Sequence, residues 1–289
     1  MTDVAEGTER EIRPFQIDIP QADLDDLQDR LGRTRWAQEL PADTFAAATQ
    51  TGPVAPGWEY GVPLEYVKDG VDYWRDGYDW RAWEQKLNGY PQYTTTIDGQ
   101  DIHFVHVPSP EPDALPIVLT HGWPNSFVEY LELVGPLTDP RSHGGDPADA
   151  FHAVIPSIPG FAFSGPTREP GWNRYRTARA WAELMGRLGY GRYGTHGNDA
   201  GAYVAPEVAR VAPDAVVGVH VNQIFSFPSG DPAEFEGMTE EEFGDGHAAV
   251  RQAVPLRAGG RPSTSARYSR TVSVVMSPKP RSSRLPEPA

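Results

Sequence analysis

The clearest candidate for chemistry in this chain is Asp199, at the centre of the segment Gly-Asn-Asp-Ala-Gly at positions 197–201. Glycine, nucleophile and glycine at this spacing are typical of a sharp strand-to-helix turn, in which the central residue takes a strained backbone conformation. A carboxylate there can attack carbon directly, and the positive end of the following helix favours its negative charge. The segment alone is equally consistent with a phosphate-binding glycine turn or an ordinary strand-to-helix junction.

Two loops upstream could serve a nucleophile at this position. The first, His-Gly-Trp-Pro at 121–124, follows an apolar strand predicted at 117–120. It forms a tight turn from which the backbone N–H of Trp123 can point towards Asp199. Together with the N–H of Ala200 it would form an oxyanion hole, a pair of donors for a developing negative oxygen. By itself, His-Gly-x-Pro is also common as a purely structural turn.

The second loop, at 156–165, follows an apolar strand predicted at 153–155 and carries aromatic residues that could wall a pocket. We therefore predict a substrate pocket lined by His121, Pro124, Phe161 and Phe163. The two loops and the nucleophile turn follow one another in the order and spacing of a catalytic α/β fold, which favours the catalytic interpretation over the structural ones.

The elements that must position these loops alternate between strand and helix. A hairpin is predicted at 93–107, with Asp98-Gly99 as a two-residue type I′ turn. The strands then follow at 117–120, 153–155, from Tyr193 and at 215–221, and the helices at 126–137, 177–188 and from the nucleophile turn to residue 211. An antiparallel hairpin leading into such alternation predicts a three-layer α/β sandwich, with reactive groups at the carboxyl ends of the strands.

An aromatic-rich arm at residues 13–93 precedes this sheet and carries five of the eight tryptophans. Its predicted elements are a short strand at 17–19, a helix opened by Pro20 and ended by Gly32, a helix opened by Pro63, and a shorter helix capped by Asp79. Such short helices cannot close a core alone. We therefore expect the arm to lie on the following domain, with Trp74 and Trp80 buried as packing residues rather than forming a ligand cage.

Composition excludes several classes of function. A net charge of −15 argues against nucleic acid and anionic membranes as partners, because both select basic surfaces. No apolar run approaches the length of about 18 residues that a membrane span needs, and the first residues lack the apolar core of a signal peptide. The chain has no Cys, so we expect no disulfide or thiolate metal site and a cytoplasmic location. The eight His show no metal-ligand spacing, and no metal or cofactor is expected.

Together, these motifs resemble epoxide hydrolases of the microsomal type, in their soluble bacterial form, over about residues 13–243. The resemblance rests on Trp-Glu-Tyr-Gly-Val-Pro at 58–63, Tyr-Asp-Trp-Arg at 78–81, His-Gly-Trp-Pro at 121–124, Pro-Ser-Ile-Pro-Gly at 156–160 and Gly-Asn-Asp-Ala-Gly at 197–201. This combination is highly specific. One departure is Ala200, where the family usually places an aromatic residue, so the space beside the nucleophile would be roomier.

The resemblance implies the α/β-hydrolase fold and the conversion of an epoxide to a vicinal diol. It implies that Asp199 attacks an epoxide carbon to give an ester, while two tyrosines of a cap domain protonate the oxygen. A His–acid pair would then activate a water that cleaves the ester, and the amides of Trp123 and Ala200 would stabilise the oxyanion. The implied partner is a small apolar epoxide, and no cofactor is required.

The sequence changes character after residue 243. Residues 244–289 carry eight basic and two acidic residues, seven Ser, six Pro and no helical or strand period, which predicts a disordered tail. The family would continue with a helical cap, further strands, an acid and a late His. Instead, His220 is expected to be a packed strand residue, His247 a solvated loop residue, and Tyr268 lies in no matching motif. We therefore find no general base or acid in the sequence, and expect a frameshift or a natural truncation here.

The expected organisation is a disordered start at 1–12, an epoxide-hydrolase-type N-terminal domain at 13–93, an incomplete α/β-hydrolase core at 94–227, the start of a cap at 228–243, and the tail. The leading hypothesis is an epoxide hydrolase whose turnover is in doubt because the late groups are missing. A dehalogenase with an aspartate nucleophile is one alternative, although such enzymes lack this aromatic arm and no halide-binding pair can be placed. A non-catalytic protein that binds apolar ligands is the other. The tail favours it and the intact nucleophile turn opposes it.

Overall fold

A computed structural model of the protein describes residues 11–39, 58 and 61–223. The predicted cap segment and tail, with His247 and Tyr268, lie outside these residues, as does the predicted disordered start apart from residues 11 and 12. The chain divides into two compact units, one formed by Met1–Phe15 with Pro91–Ala289 and the other by Gln16–Tyr90.

The smaller unit contains the three helices that the arm was predicted to form. They are α1 (Gln21–Gly32), α2 (Leu64–Asp72), which runs into a π-helical turn (Tyr73–Gly77), and α3 (Trp80–Leu87). The side chain of Asp79 accepts a hydrogen bond from the backbone N–H of Ala82 at 3.1 Å, which confirms its predicted role as the cap of α3.

The strand predicted at 17–19 is wrong, because side chains of α3 and of the residue that caps its end bind the backbone of this segment. The amide of Asn88 accepts from the N–H of Ile17 and donates to its carbonyl oxygen, both at 2.8 Å. Glu84 Oε1 accepts from the N–H of Ile19 at 2.8 Å. With these backbone groups satisfied by side chains, the segment has no need of a neighbouring strand.

The prediction that Trp74 is buried is also wrong, since this residue is 48% exposed, while Trp80 is half-buried. No residue of α1 or α2 is buried. Both tryptophans line an open cavity of about 700 Å³ within the smaller unit, between α1 and the π-helical turn.

Within its described residues, the larger unit is built on one seven-stranded sheet. Its strands are β1 (Arg13–Phe15), β2 (Gln92–Ile97), β3 (Gln100–Val107), β4 (Leu115–Thr120), β5 (Phe151–Pro156), β6 (Tyr193–Gly197) and β7 (Val216–Val221). Their order across the sheet is β1-β2-β3-β5-β4-β6-β7. The first three strands and β5 pair antiparallel, whereas β5, β4, β6 and β7 run parallel, so the carboxyl ends of these four meet at one edge. This is the predicted mixed α/β sheet.

The hairpin of β2 and β3 has the predicted turn. Ile97 pairs with Gln100, and the two residues between them have positive φ, 52° at Asp98 and 71° at Gly99. A type I′ turn requires positive φ at both positions, and Asp-Gly is a pair that adopts it at little cost.

Up to residue 223, where the description of this unit ends, three helices accompany the parallel strands: α4 (Leu131–Thr138), α5 (Arg174–Arg187) and α6 (Ala200–Val211). The helix predicted at 126–137 differs in its first turn, which is a 3-10 turn (Phe127–Tyr130) capped by Ser126. The core of the unit joins residues of α5 and α6 to the sheet. Trp181 lies at its centre, is fully buried, and donates its indole N–H to Thr120 Oγ1 at 3.1 Å.

Replacing Trp181 by Ala should lower the free energy of unfolding by about 3–5 kcal/mol, because it removes a buried ring and leaves a cavity. Trp74→Ala is the matched control and should cost much less, since Trp74 is already 48% exposed. Urea unfolding followed by far-UV circular dichroism measures both. Equal losses in the two variants would contradict this assignment of the core.

Candidate active site

Asp199 stands between the end of β6 and the start of α6 with φ 49° and ψ −114°, a strained conformation for a residue with a side chain. The glycines on either side make this turn possible. A β-carbon at Gly197 would lie 2.0 Å from the carbonyl oxygen of Gly201, and one at Gly201 would lie 1.9 Å from the carbonyl oxygen of Thr120. Only glycine allows the backbone of α6 to come this close to both β6 and β4.

The carboxylate of Asp199 is held by the two backbone amides that the sequence singled out. Its Oδ1 accepts from the N–H of Trp123 at 2.9 Å and from the N–H of Ala200 at 2.6 Å. Gly122 lets the turn approach, because a β-carbon at this position would lie 2.6 Å from Cβ of Asp199. The geometry thus provides a carboxylate with one oxygen in a two-amide donor site.

His121 links this turn to the loop after β5. Its ring is fully buried, Nε2 accepts from the N–H of Ile158 at 3.0 Å, and Nδ1 lies 2.9 Å from the carbonyl oxygen of Gly122. Because Nε2 must accept, Nδ1 carries the proton and donates to Gly122. Burial lowers the pKa of His121, which favours this neutral form. The structure thus places His121 as a link between two loops, and its role in a pocket stays a prediction.

A cavity of about 610 Å³ opens beside Asp199. Its lining comes mainly from the start of α5 and from α6, and consists of Ile158, Trp172, Asn173, Arg174, Tyr175, Thr177, Asp199, Ala200, Tyr203 and Val204. Helix α5 begins at Arg174, three residues before its predicted start, because the side chain of Asn173 caps it by accepting from the N–H groups of Tyr175 and Arg176. Asn173 was the sequence signal that could have revealed this wall.

The other predicted pocket residues are not brought to this cavity. Pro124 is exposed, and the ring of Phe161 lies 5.6 Å from that of His121. Phe163 belongs to an aromatic cluster, with its ring 5.3 Å from those of Phe15 and His103. Both phenylalanines contact other rings and are half-buried, and their role in a pocket stays a prediction.

The cavity wall contains a cation paired with a phenol. Arg174 Nη2 donates to the hydroxyl oxygen of Tyr175 at 2.6 Å, and the guanidinium lies over the ring of Tyr175 at 4.7 Å and that of Tyr203 at 5.9 Å. The indole N–H of Trp172 is buried without a hydrogen-bond partner among the residues that the structure describes. The wall therefore combines aromatic surface with a few polar groups, as small-molecule sites do.

Glu129 is a further side chain at the site that sequence reasoning missed. Its Oε1 lies 3.2 Å from the backbone N of Gly122 and 3.4 Å from Nδ2 of Asn198. Its Oε2 lies 2.8 Å from Nδ2 of Asn125. A glutamate in a short helical turn ordinarily faces solvent, so no sequence signal marked it.

His220 lies on β7 opposite His196 on β6, and their Nδ1 atoms are 2.7 Å apart with the rings stacked at 4.8 Å. Burial, with a smaller contribution from His220, lowers the pKa of His196 to about 4. His220 is thus a packed strand residue, as expected. Within the described ranges no group of three or more His, Asp and Glu side chains is arranged to hold a metal, and no helix there is long and apolar enough to cross a bilayer.

Gly201→Ala should prevent the elbow, the strand-to-helix turn at Asp199, from forming, because the added β-carbon would meet backbone that cannot move aside. We expect loss of the folded state or a strong drop in its melting temperature. Gly186→Ala in α5 is the control, since its β-carbon meets nothing within 4 Å and alanine favours a helix. Thermal unfolding compares the two. A Gly201→Ala protein as stable as Gly186→Ala would contradict the close approach.

A family model and curated relatives that match this chain carry the name epoxide hydrolase. The family model described as "Epoxide hydrolase N terminus" matches residues 12–130. A protein of Stigmatella aurantiaca, whose name assigns it to the epoxide hydrolases, is 46% identical over 221 residues, which are 76% of this chain and 47% of that protein. "Epoxide hydrolase 1" of Oryctolagus cuniculus is 36% identical over 215 residues, covering 73% of this chain and 44% of that protein.

Solved structures agree. The Aspergillus niger epoxide hydrolase is similar with a TM-score of 0.62 and 31% identity, covering 83% of this chain and 59% of that chain. The juvenile hormone epoxide hydrolase of Bombyx mori is similar with a TM-score of 0.64 and 28% identity, covering 76% of this chain and 55% of that chain. The chain spans about half the length of the curated relatives that it matches.

Proposed function

Because the chain belongs to the epoxide hydrolase family of α/β-hydrolases, we propose that it opens a small apolar epoxide through an ester with Asp199. The observation that carries this proposal is the position of Asp199 at a strained elbow, with Oδ1 bound to two backbone amides. The two hydrogen bonds orient the carboxylate and replace part of its hydration before a substrate binds. Both effects favour its role as a nucleophile. A cytoplasmic location stays a proposal that rests on the absence of Cys.

The two oxygens of the carboxylate have different tasks in this mechanism. Oδ2, which neither amide binds, attacks an epoxide carbon, the carbon–oxygen bond breaks, and the electron pair moves to the departing oxygen. Oδ1 becomes the carbonyl oxygen of the ester and stays between the amides of Trp123 and Ala200. When water later attacks the ester carbon, negative charge develops on Oδ1, where these amides stabilise it.

The departing oxygen needs a proton, and we propose that Tyr175 supplies it. Tyr175 lines the cavity beside Asp199, and its hydroxyl oxygen accepts from Arg174 at 2.6 Å. That contact leaves the O–H proton for a ligand in the cavity, and the guanidinium would stabilise the charge that proton transfer leaves on the phenol oxygen.

Hydrolysis of the ester needs a general base, which typically contributes about 10²–10⁴-fold to the rate. Two imidazoles near the elbow are already engaged: His121 bridges Gly122 and Ile158, and His196 contacts His220. Among the residues that the structure describes, none is an evident base for a water at Asp199. We therefore expect the ester to form and to persist.

Two other functions remain as alternatives. A dehalogenase would also use an aspartate at the elbow, but the match to the epoxide hydrolase N terminus over residues 12–130 favours the epoxide reaction. A non-catalytic protein that binds apolar ligands would need the cavity without the nucleophile. The strain at Asp199, which simple binding does not require, opposes it.

Treatment with an activated apolar epoxide should add one ligand mass, on Asp199, with no repeated release of diol. Asp199→Asn should form no adduct, because the amide is a far weaker nucleophile of nearly the same shape. The exposed Asp214→Asn is the matched control and should react like the wild type. Intact-protein and peptide mass spectrometry give the result. Many turnovers of diol would show that a base is present, and an adduct on another residue would remove Asp199 as the nucleophile.

Tyr175→Phe should slow formation of the adduct by roughly 10²-fold, the lower range for losing a general acid. The fold should be unaffected, because Tyr175 is 45% exposed. Tyr66→Phe, in the smaller unit and 62% exposed, is the control. An unchanged rate in Tyr175→Phe would show that the proton comes from water or from another group.

A further inference from the structure

We propose that Glu129 is a positioning residue that holds the turn at 121–124, the oxyanion turn, at hydrogen-bond distance from Asp199. This inference rests on the proposed function, because it concerns the donor site on which that function depends. The carboxylate of Glu129 joins the loop after β4, which supplies the N–H of Trp123, to the loop after β6, which carries the nucleophile.

The contact with the first loop is made next to the oxyanion donor. Glu129 Oε1 accepts from the N–H of Gly122 at 3.2 Å, and Oε2 accepts from the side-chain amide of Asn125 at 2.8 Å. Gly122 is buried, and Pro124 has no N–H to offer. The turn therefore has two adjacent donors, Gly122 for Glu129 and Trp123 for Asp199. Binding the first N–H to a charged acceptor fixes the direction of the peptide that carries the second.

The contact with the second loop is made next to the nucleophile. Asn198 Nδ2 donates to Glu129 Oε1 at 3.4 Å, while the backbone N–H of Asn198 donates to the carbonyl oxygen of Thr120 at 3.3 Å. The same oxygen of Glu129 thus contacts the residue before Trp123 and the residue before Asp199. A shift of either loop would break one of these bonds, so the pair restrains the distance between donor and carboxylate.

Glu129 is itself rigidly mounted. It lies in the 3-10 turn Phe127–Tyr130, whose first and last residues are buried, at 1% and 4% exposure. The hydroxyl of Tyr130 donates to the carbonyl oxygen of Thr120 at 2.9 Å, which ties the turn to the end of β4. Because the turn is anchored to the core, its carboxylate is held in place and can fix the positions of the two loops.

The experiment measures the rate constant of adduct formation on Asp199 with para-nitrostyrene oxide in four variants. Glu129→Leu removes every acceptor, and Glu129→Asp keeps the charge but loses reach. Glu129→Gln keeps an acceptor for Gly122, and Asn125 can turn its amide to bind the new NH₂. Glu132→Leu, at an exposed position in the next turn, is the matched control. Urea unfolding reports whether each variant is folded.

We expect Glu129→Leu and Glu129→Asp to react roughly 10²-fold more slowly, the effect expected for a misplacement of about 1 Å. Glu129→Gln should recover most of the rate, and Glu132→Leu should match the wild type. A folded Leu variant at the wild-type rate would overturn the proposal. So would equal losses in the Gln and Leu variants, because only the charge would then matter. If Glu129→Leu does not fold, the rates of Glu129→Asp and Glu129→Gln decide. A slow Asp variant beside a Gln variant near the wild-type rate supports the proposal, and equal rates in the two overturn it.

Amide hydrogen exchange provides a readout that does not need the reaction. Exchange at Gly122 and Trp123 should accelerate in Glu129→Asp and not in Glu129→Gln. If the wild type forms no adduct, the proposed function fails while exchange still tests the positioning role. If the wild type reacts and exchange at these two amides is unchanged in Glu129→Asp, the positioning role fails and the proposed function stands.

Discussion

The close approach of three backbone segments at the elbow is the constraint on which the rest of this structure depends. Gly201 lies so near the carbonyl oxygen of Thr120, and Gly197 so near that of Gly201, that no β-carbon fits at either place. This approach sets the first turn of α6 against β4. It forces Asp199 into positive φ and brings its carboxylate within hydrogen-bond distance of the amides of Trp123 and Ala200. The strain is stored where the chemistry is proposed.

The loops around the elbow are held mainly by hydrogen bonds of side chains, to backbone groups and to other side chains. His121 bridges the loops after β4 and β5, and Glu129 bridges those after β4 and β6. Tyr130 anchors the 3-10 turn that carries Glu129 to the end of β4. Each of these groups is mounted on the sheet or on a buried turn. The loops lie at the edge of the core, but these anchors restrain their positions. A pre-organised donor site requires such restraint.

Local signals in the sequence predicted most elements, because each depends on residues a few positions apart. Asp98-Gly99 adopts the positive φ angles of the hairpin turn, and Asp79 caps its helix through a neighbouring N–H. The prediction of a strand at 17–19 was wrong because this segment depends on residues far away in the sequence. Its backbone is bound by Asn88 and Glu84, residues more than sixty positions away whose contacts no local pattern encodes. The same holds for Trp74, whose exposure depends on what packs against α1 and α2.

At the site itself, the sequence alone predicted that Asp199 lies at an elbow and that the amides of Trp123 and Ala200 point towards it. This was possible because an elbow and a tight turn are encoded by glycines at fixed spacing. Only the tertiary structure decided which side chains surround them. Tyr175 and Arg174 reach the cavity because α5 starts earlier than its periodicity indicates, and Glu129 reaches the elbow because its turn is docked on β4. Such contacts join residues from separate elements, and their distances are set by packing, which no spacing along the chain records.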